Sequence, residues 1–173
     1  MNLALIFAGG TGTRMNSKTK PKQFLELNGK PIIIHTIELF ESHPEIDAIA
    51  VVCLESWIGY LNELLERFRI KKVKYVVPGG ETGQQSIRNG LTAFWDDQDI
   101  PRDSLVLIHD GVRPLINEDI ITRSIECAKQ YGNAITVTPA IETIITVSED
   151  DSVDQIMDRS KCRMARAPQT FRL

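Results

Sequence analysis

An α/β fold, with a mostly parallel sheet covered by helices on both faces, is what this sequence predicts. Three observations lead to it. Short strands without internal polarity, such as Leu3–Ala8, Ala48–Leu54 and Leu105–His109, alternate with segments whose apolar residues recur at helical spacing. Strands buried on both faces read as continuous apolar runs, and the helices between them supply the cover. Turn signals fall where strands give way to helices: Gly9-Gly10 after the first strand, Pro78-Gly79-Gly80 after the third and Asp110-Gly111 after the fourth. The outline is Rossmann-like, and 173 residues suit a single domain spanning 1–173.

Each element follows from its own pattern. Leu3–Ala8 is the first strand. Pro31–Ser42 reads as a helix with Pro31 in its first turn and Ile33, Ile34, Ile37 and Phe40 on one face. Ala48–Leu54 is the second strand. Ser56 is placed to cap a helix running to about Phe68, with Trp57, Tyr60, Leu61, Leu64 and Leu65 on one side. Val73–Val77 is the third strand, Gln85–Trp95 a helix, Leu105–His109 the fourth strand, Glu118–Tyr131 a helix and Ala134–Val137 a further strand. After Pro139 the alternation stops. Glu142–Val147 is β-like, Glu149-Asp150-Asp151-Ser152 is a turn, and Gln155–Met164 is polar with no helical face. The expectation for about 140–166 is a C-terminal β-arm that leaves the globule and makes a dimer contact.

Composition narrows the function. Hydrophobic residues make up 42% of the chain, too many for disorder. No apolar run reaches the roughly 18 residues that span a bilayer, and no basic segment precedes the first strand as in a secretory signal. The net charge of −3 argues against a nucleic-acid partner, which needs a broad basic face. Cys53, Cys127 and Cys162 form no CxxC pattern. Cys53 and Cys127 read as packing residues, and Cys162 lacks a neighbouring base. A reducing cytoplasm is the expected compartment.

The chemistry concentrates after the first strand. Gly9-Gly10-Thr11-Gly12-Thr13 is followed by Arg14, Lys18, Lys20 and Lys22, four cations within nine residues. Glycines let backbone N–H groups approach and cradle an anion. The loop matches neither the dinucleotide fingerprint nor a Walker A loop. On its own it is a tight turn; with the cations it becomes a polyphosphate site. In parallel sheets ligands bind beyond the carboxyl ends of the strands, where Pro78-Gly79-Gly80-Glu81 with Ser86 and His109-Asp110-Gly111-Val112-Arg113-Pro114 also fall. Asp110 is placed to hold Mg²⁺ or a ribose hydroxyl, since magnesium takes one or two carboxylates plus phosphate oxygens; the alternative is that it caps the next turn or pairs with Arg113. His109 reads as a strand-end residue satisfied by backbone, and Arg113 as an ion-pair partner. His35 and His43 carry no evident chemistry.

These segments, together with Pro21-Lys22-Gln23-Phe24, Gly29-Lys30-Pro31-Ile32 and Ala167-Pro168-Gln169-Thr170-Phe171, stand in an order that resembles the IspD/TarI-type cytidylyltransferases from end to end. The resemblance implies CMP transfer from CTP to a sugar-alcohol phosphate in a homodimer, with Mg²⁺. It implies that Ala8, Gly9, Gly10, Thr11, Gly12 and Thr13 contact cytosine and phosphates. Arg14 and Lys22 would be the catalytic cations. Gly80, Glu81 and Ser86 would recognise cytosine, and Asp110 would contact ribose or metal. Thr143 and Arg159 on the arm would reach the acceptor phosphate in the partner's site. Ala8-Gly9-Gly10 and the Val112-Arg113-Pro114 ending look more like the ribitol 5-phosphate branch than the methylerythritol 4-phosphate branch of isoprenoid synthesis.

Three departures qualify the resemblance. Thr82-Gly83-Gln84-Gln85 lacks the Arg that usually follows the Gly-Gly-Glu motif, for which Arg88 is the candidate substitute. Ala167 stands where the isoprenoid branch has Thr. Relatives continue past the equivalent of Leu173 with a segment carrying an Asp and a Lys for metal and phosphates, so a chain ending here is expected to be a fragment or impaired, with apolar sheet surface exposed. A nucleotide-binding homologue without catalysis is therefore the rival reading. A sugar 1-phosphate nucleotidyltransferase is disfavoured by Pro21-Lys22-Gln23-Phe24 and Gly79-Gly80-Glu81.

Overall fold

The structure, a computed structural model of the chain, describes residues 1–9 and 20–173. Its central sheet takes β1 (Asn2–Ala8), β4 (Ala48–Cys53), β5 (Val73–Pro78), β6 (Leu105–Asp110), β7 (Ala134–Pro139) and β10 (Arg163–Arg172). Between them lie α1 (Ile32–Ser42), α2 (Ile58–Arg67), α3 (Gly83–Trp95) and α4 (Glu118–Tyr131). Two small hairpins complete it: β2 (Glu26–Leu27) with β3 (Lys30–Pro31), and β8 (Ile145–Val147) with β9 (Val153–Ile156). The first turns at Asn28-Gly29, both with positive φ (52° and 74°), the backbone that a two-residue hairpin requires.

The sheet order is β5-β4-β1-β6-β10-β7. β10 runs antiparallel to both neighbours, and the other five strands run parallel to one another. Alternation along β1 divides the core. Ala4, Ile6 and Ala8 face the layer of α1, α2 and α4 with Ile37, Phe40, Leu61 and Ile125, while Leu3 and Leu5 face α3 through Phe94. The mostly parallel, two-faced sheet is thus as expected.

The elements differ from the sequence reading at their edges. Pro31 is the N-cap of α1, which begins at Ile32. Ser56 does not cap α2; it sits inside a short 3-10 turn, Glu55–Trp57, and Trp57 is the N-cap without a side-chain bond. α3 begins earlier, at Gly83, because Thr82 and Gln85 form a reciprocal capping box. β10 was not foreseen. Its alternation is broken by a register shift between Ala165 and Gln169, within which lies the cis Ala167–Pro168 bond. Proline belongs in a sheet interior only at such irregularities.

The chain departs from the central sheet after Pro139 and rejoins it at Arg163. The β8–β9 hairpin in this excursion is exposed along its whole length. On the central sheet, Ile135 and Val137 of β7, on the face opposite the core residue Ala134, are also about half exposed.

Candidate active site

Three loops meet at the carboxyl ends of β1, β5 and β6, and the glycines are what let them meet. A Cβ on Gly9 would stand 3.0 Å from the Oγ of Ser86 and 3.5 Å from the Cα of Gly79. A Cβ on Gly79 would meet Gly9 Cα at 3.3 Å. The third loop closes on the first in the same way: a Cβ on Gly111 would lie 2.9 Å from the Cβ of Ala8, and the Gly111 N–H donates to Phe7 O at 3.0 Å. Ala8, Gly9, Gly80, Ser86 and Asp110 are therefore neighbours in space.

The β5–α3 loop is internally braced. Gly79 N–H donates to Cys53 O at 2.8 Å. Ser86 is buried; its hydroxyl donates to Thr82 O (3.0 Å) and accepts from Gly80 N–H (3.1 Å), which leaves one lone pair for another donor. A Cβ on Gly80 would overlap Gln85 Cβ at 2.3 Å, so only glycine passes there. Glu81 projects into solvent beside this brace, and Arg88 is exposed farther along α3.

Lys22 reaches the same place through its neighbours. It opens a one-turn 3-10 helix, Lys22–Phe24, after Pro21. Gln23 and Phe24 are buried, which leaves Lys22 half-exposed, and Gln23 Nε2 donates to Ala8 O at 2.7 Å. That bond ties the Pro-Lys-Gln-Phe turn to the end of β1. Sequence alone assigns Gln23 no role; its burial against the end of β1 supplies one. Gly10, Thr11, Gly12, Thr13 and Arg14 lie outside the described residues.

Asp110 ends β6 at the wall of a cavity of about 220 Å³, with Phe7, Ile87, Ile108, Arg113, Arg166 and Gln169 around it. Its Oδ1 accepts from Val112 N–H and its Oδ2 from Arg113 Nε, both at 3.1 Å. The sequence reading of Arg113 as an ion-pair partner holds. His109, fully buried, donates from Nε2 to Arg113 O at 3.0 Å; burial pushes its pKa down, so the ring is neutral. The strand-end histidine is held by backbone as expected at Nε2, while its buried Nδ1 has no hydrogen-bond partner. Thr36 of α1, unremarked in the sequence, donates to Gly111 O at 3.0 Å and fixes the turn from below.

Thr143 and Arg159 are both exposed on the excursion beyond β7, and neither lines the cavity with Asp110 in its own chain. Arg159 donates to Ile141 O at 3.1 Å. Among the described residues no three His, Cys, Asp or Glu side chains cluster as a metal cage. Cys53, Cys127 and Cys162 are free thiols; Cys53 is buried, which pushes its pKa up to about 11, whereas Cys127 is exposed and is not the packing residue expected. Among the described residues no helix is long and apolar enough to cross a membrane.

Comparison with known proteins agrees with the fold and with the family resemblance. A ribitol-5-phosphate cytidylyltransferase of Vibrio parahaemolyticus serotype O3:K6 is 58% identical over 173 residues, covering 100% of this chain and 72% of that protein. A ribitol-5-phosphate cytidylyltransferase of Streptococcus agalactiae serotype Ia is 52% identical, with the same coverage. Among solved structures, the 4-diphosphocytidyl-2C-methyl-D-erythritol synthase of Anaerococcus prevotii superposes with a TM-score of 0.80 at 26% identity, over 98% of this chain and 69% of that one. The model of the family described as IspD, 2-C-methyl-D-erythritol 4-phosphate cytidylyltransferase, matches residues 2–173, and with these relatives it shows that the chain belongs to the IspD family of cytidylyltransferases.

Proposed function

We propose that this protein transfers CMP from CTP to D-ribitol 5-phosphate, giving CDP-ribitol and pyrophosphate. The observation that carries the reaction class is the convergence of the β1, β5 and β6 loops, with Lys22 tied to Ala8 through Gln23. The acceptor follows from the relatives at 58% and 52% identity.

The chemistry suits such a site. The nucleophile is a phosphate oxygen, already ionised at neutral pH, so no strong general base is needed. That agrees with a neutral, buried His109. What remains is in-line positioning and stabilisation of charge at the α-phosphorus. Lys22 and Arg14 supply cations, the Ala8–Thr13 segment supplies backbone donors, and Gly80, Glu81 and Ser86 bind cytosine. Asp110 would hold Mg²⁺: its carboxylate lines an open cavity and keeps unused lone pairs, and magnesium asks for one or two protein carboxylates beside substrate phosphates. When bound, the ion supplies further neutralisation of phosphate charge.

Thr143 and Arg159 bind the acceptor phosphate in the second subunit of a homodimer. The exposed Ile145, Val147, Val153 and Ile156 of the β8–β9 hairpin support that assembly, since an isolated two-stranded hairpin is marginal in water without a surface to pack on. Three free thiols fit a reducing cytoplasm.

The test is pyrophosphate release from CTP and Mg²⁺ with ribitol 5-phosphate, beside methylerythritol 4-phosphate. Turnover with ribitol 5-phosphate alone is the expected result. Turnover with methylerythritol 4-phosphate alone would favour the second reading, which the family description and the Anaerococcus prevotii structure support. CTP binding without turnover on either acceptor would favour a homologue that has lost catalysis.

A further inference from the structure

The reaction as derived leaves unused an aromatic cluster at the start of α2. The ring of Phe24, fully buried, stacks on Trp57 with centroids 4.9 Å apart and planes 19° from parallel. Tyr60 meets both rings edge-on, 5.4 Å from Phe24 and 5.7 Å from Trp57. The Nζ of Lys20 lies over the same Tyr60 ring, 5.3 Å from its centroid. The cluster thus touches the chain at Lys20 and at Phe24, and Lys22 lies midway between those contacts.

The cluster also belongs to the right end of the sheet. Trp57 closes the 3-10 turn that follows β4, and the last residue of β4, Cys53, is the registered partner of Ala8 in β1. Ala8 is the residue whose carbonyl holds Gln23. Two supports therefore converge on the Lys22 turn, the Gln23–Ala8 hydrogen bond on one side and the Trp57–Tyr60 platform on the other. The turn needs them. It is three residues long, and its own backbone bonds are Phe24 N–H to Pro21 O at 2.9 Å and Leu25 N–H to Lys22 O at 3.2 Å. A 3-10 turn of that length has little intrinsic stability.

From this arrangement we infer that Trp57 and Tyr60 are positioning residues for Lys22. They fix Phe24 and Lys20, and so set where the Lys22 amine stands relative to the phosphates. The inference rests on the reading of Lys22 as a phosphate-binding cation. A cluster that merely filled the core would lower stability when truncated, with no special dependence on Lys22. A positioning cluster must act through it.

A double-mutant cycle separates these roles. Trp57→Ala and Lys22→Ala are made singly and together, and kcat/KM for CTP and the Kd for CTP are measured with thermal melts alongside. Trp57→Ala is expected to lower kcat/KM about tenfold when Lys22 is present and less than about twofold when Lys22 is already Ala, because acting through a shared group makes the effects non-additive. Trp57→Phe, which keeps a stacking face, is expected to stay within about threefold of wild type. Should Trp57→Ala not fold, Tyr60→Leu, at a half-exposed helical position, enters the same cycle. An equal loss in both Lys22 backgrounds, with turnover intact in the wild type, overturns the positioning role alone. A wild-type protein that neither binds CTP nor releases pyrophosphate overturns the cytidylyltransferase reading, and this inference with it.

Discussion

Single atoms decide how the Asp110 turn is held. Thr36, fully buried, places its hydroxyl 3.0 Å from Gly111 O and 3.3 Å from Ile32 O. Thr36→Val keeps the shape and removes the donor, leaving Gly111 O without that partner. A buried unsatisfied group costs about 1–3 kcal/mol, so chemical denaturation should show a loss in that range, with a raised KM for CTP because Asp110 is the neighbour. A variant as stable as wild type would mean that Thr36 is not a support. Lys22→Ala is expected to cost at least about tenfold in kcat/KM, or about 1.4 kcal/mol of transition-state stabilisation; unchanged rates would remove Lys22 from the machinery. Asp97 makes a different prediction. Lys74, then Tyr75 and the Asp99 N–H, donate to its carboxylate and hold its pKa down at about 2. Depression below the unfolded value stabilises the fold above about pH 4, and that contribution is lost as pH falls toward 2. Melting curves from pH 5 to pH 2 should therefore fall less steeply for Asp97→Asn than for wild type.

Among the elements, α3 is the one whose packing is tightest where its sequence looks weakest. Gly90 lies mid-helix, a position that costs about 1 kcal/mol relative to Ala by propensity. The reason is contact: a Cβ there would stand 2.7 Å from Leu5 Cδ1 and 2.8 Å from Val52 Cγ2. Gly90→Val should destabilise by about 1–3 kcal/mol through overpacking, read as a lower Tm. An unchanged Tm would show that α3 can lift off β1 and β4. Propensity alone cannot reveal such a glycine, because the atoms that forbid a side chain come from strands far away in sequence. The same limit explains which elements were legible. β1, β4 and α4 were found within a residue or two because their patterns are local. α2 was misplaced at its start because Ser56 looks like a cap while the chain first makes a 3-10 turn. β10 escaped notice because its place between β6 and β7 is settled by pairing with those strands, and its bulge and Pro168 interrupt the alternation that would have announced it.

For the molecule as a whole, the three loop motifs were readable as a site because a parallel sheet gathers its strand ends by topology. The supports beneath them, Gln23 on Ala8 and Thr36 on Gly111, were not, since they depend on which atoms fold brings within 3 Å. The proposed dimer is the largest-scale consequence. Thr143 and Arg159 stand on the excursion beyond β7 and do not line the cavity with Asp110 in their own chain. If they serve the partner's site, two defects on different subunits must complement. Lys22→Ala disables a subunit's own site, and Arg159→Ala disables only what its arm gives to the partner. In a mixed dimer the subunit that keeps Lys22 receives the arm that keeps Arg159, so one site of two is whole. Co-refolding the two impaired variants in equal amounts should form mixed dimers in half of the population, and with C2 symmetry the mixture should recover about a quarter of wild-type activity above the residual rate of either variant alone. If Arg159 instead served its own subunit, no site in the mixed dimer would be whole, and mixing would restore nothing. Replacing Ile145 and Ile156, 44% and 68% exposed on the hairpin, by Asp should produce monomers in sedimentation and abolish that recovery. Full dimerisation of the doubly substituted protein would place the interface elsewhere.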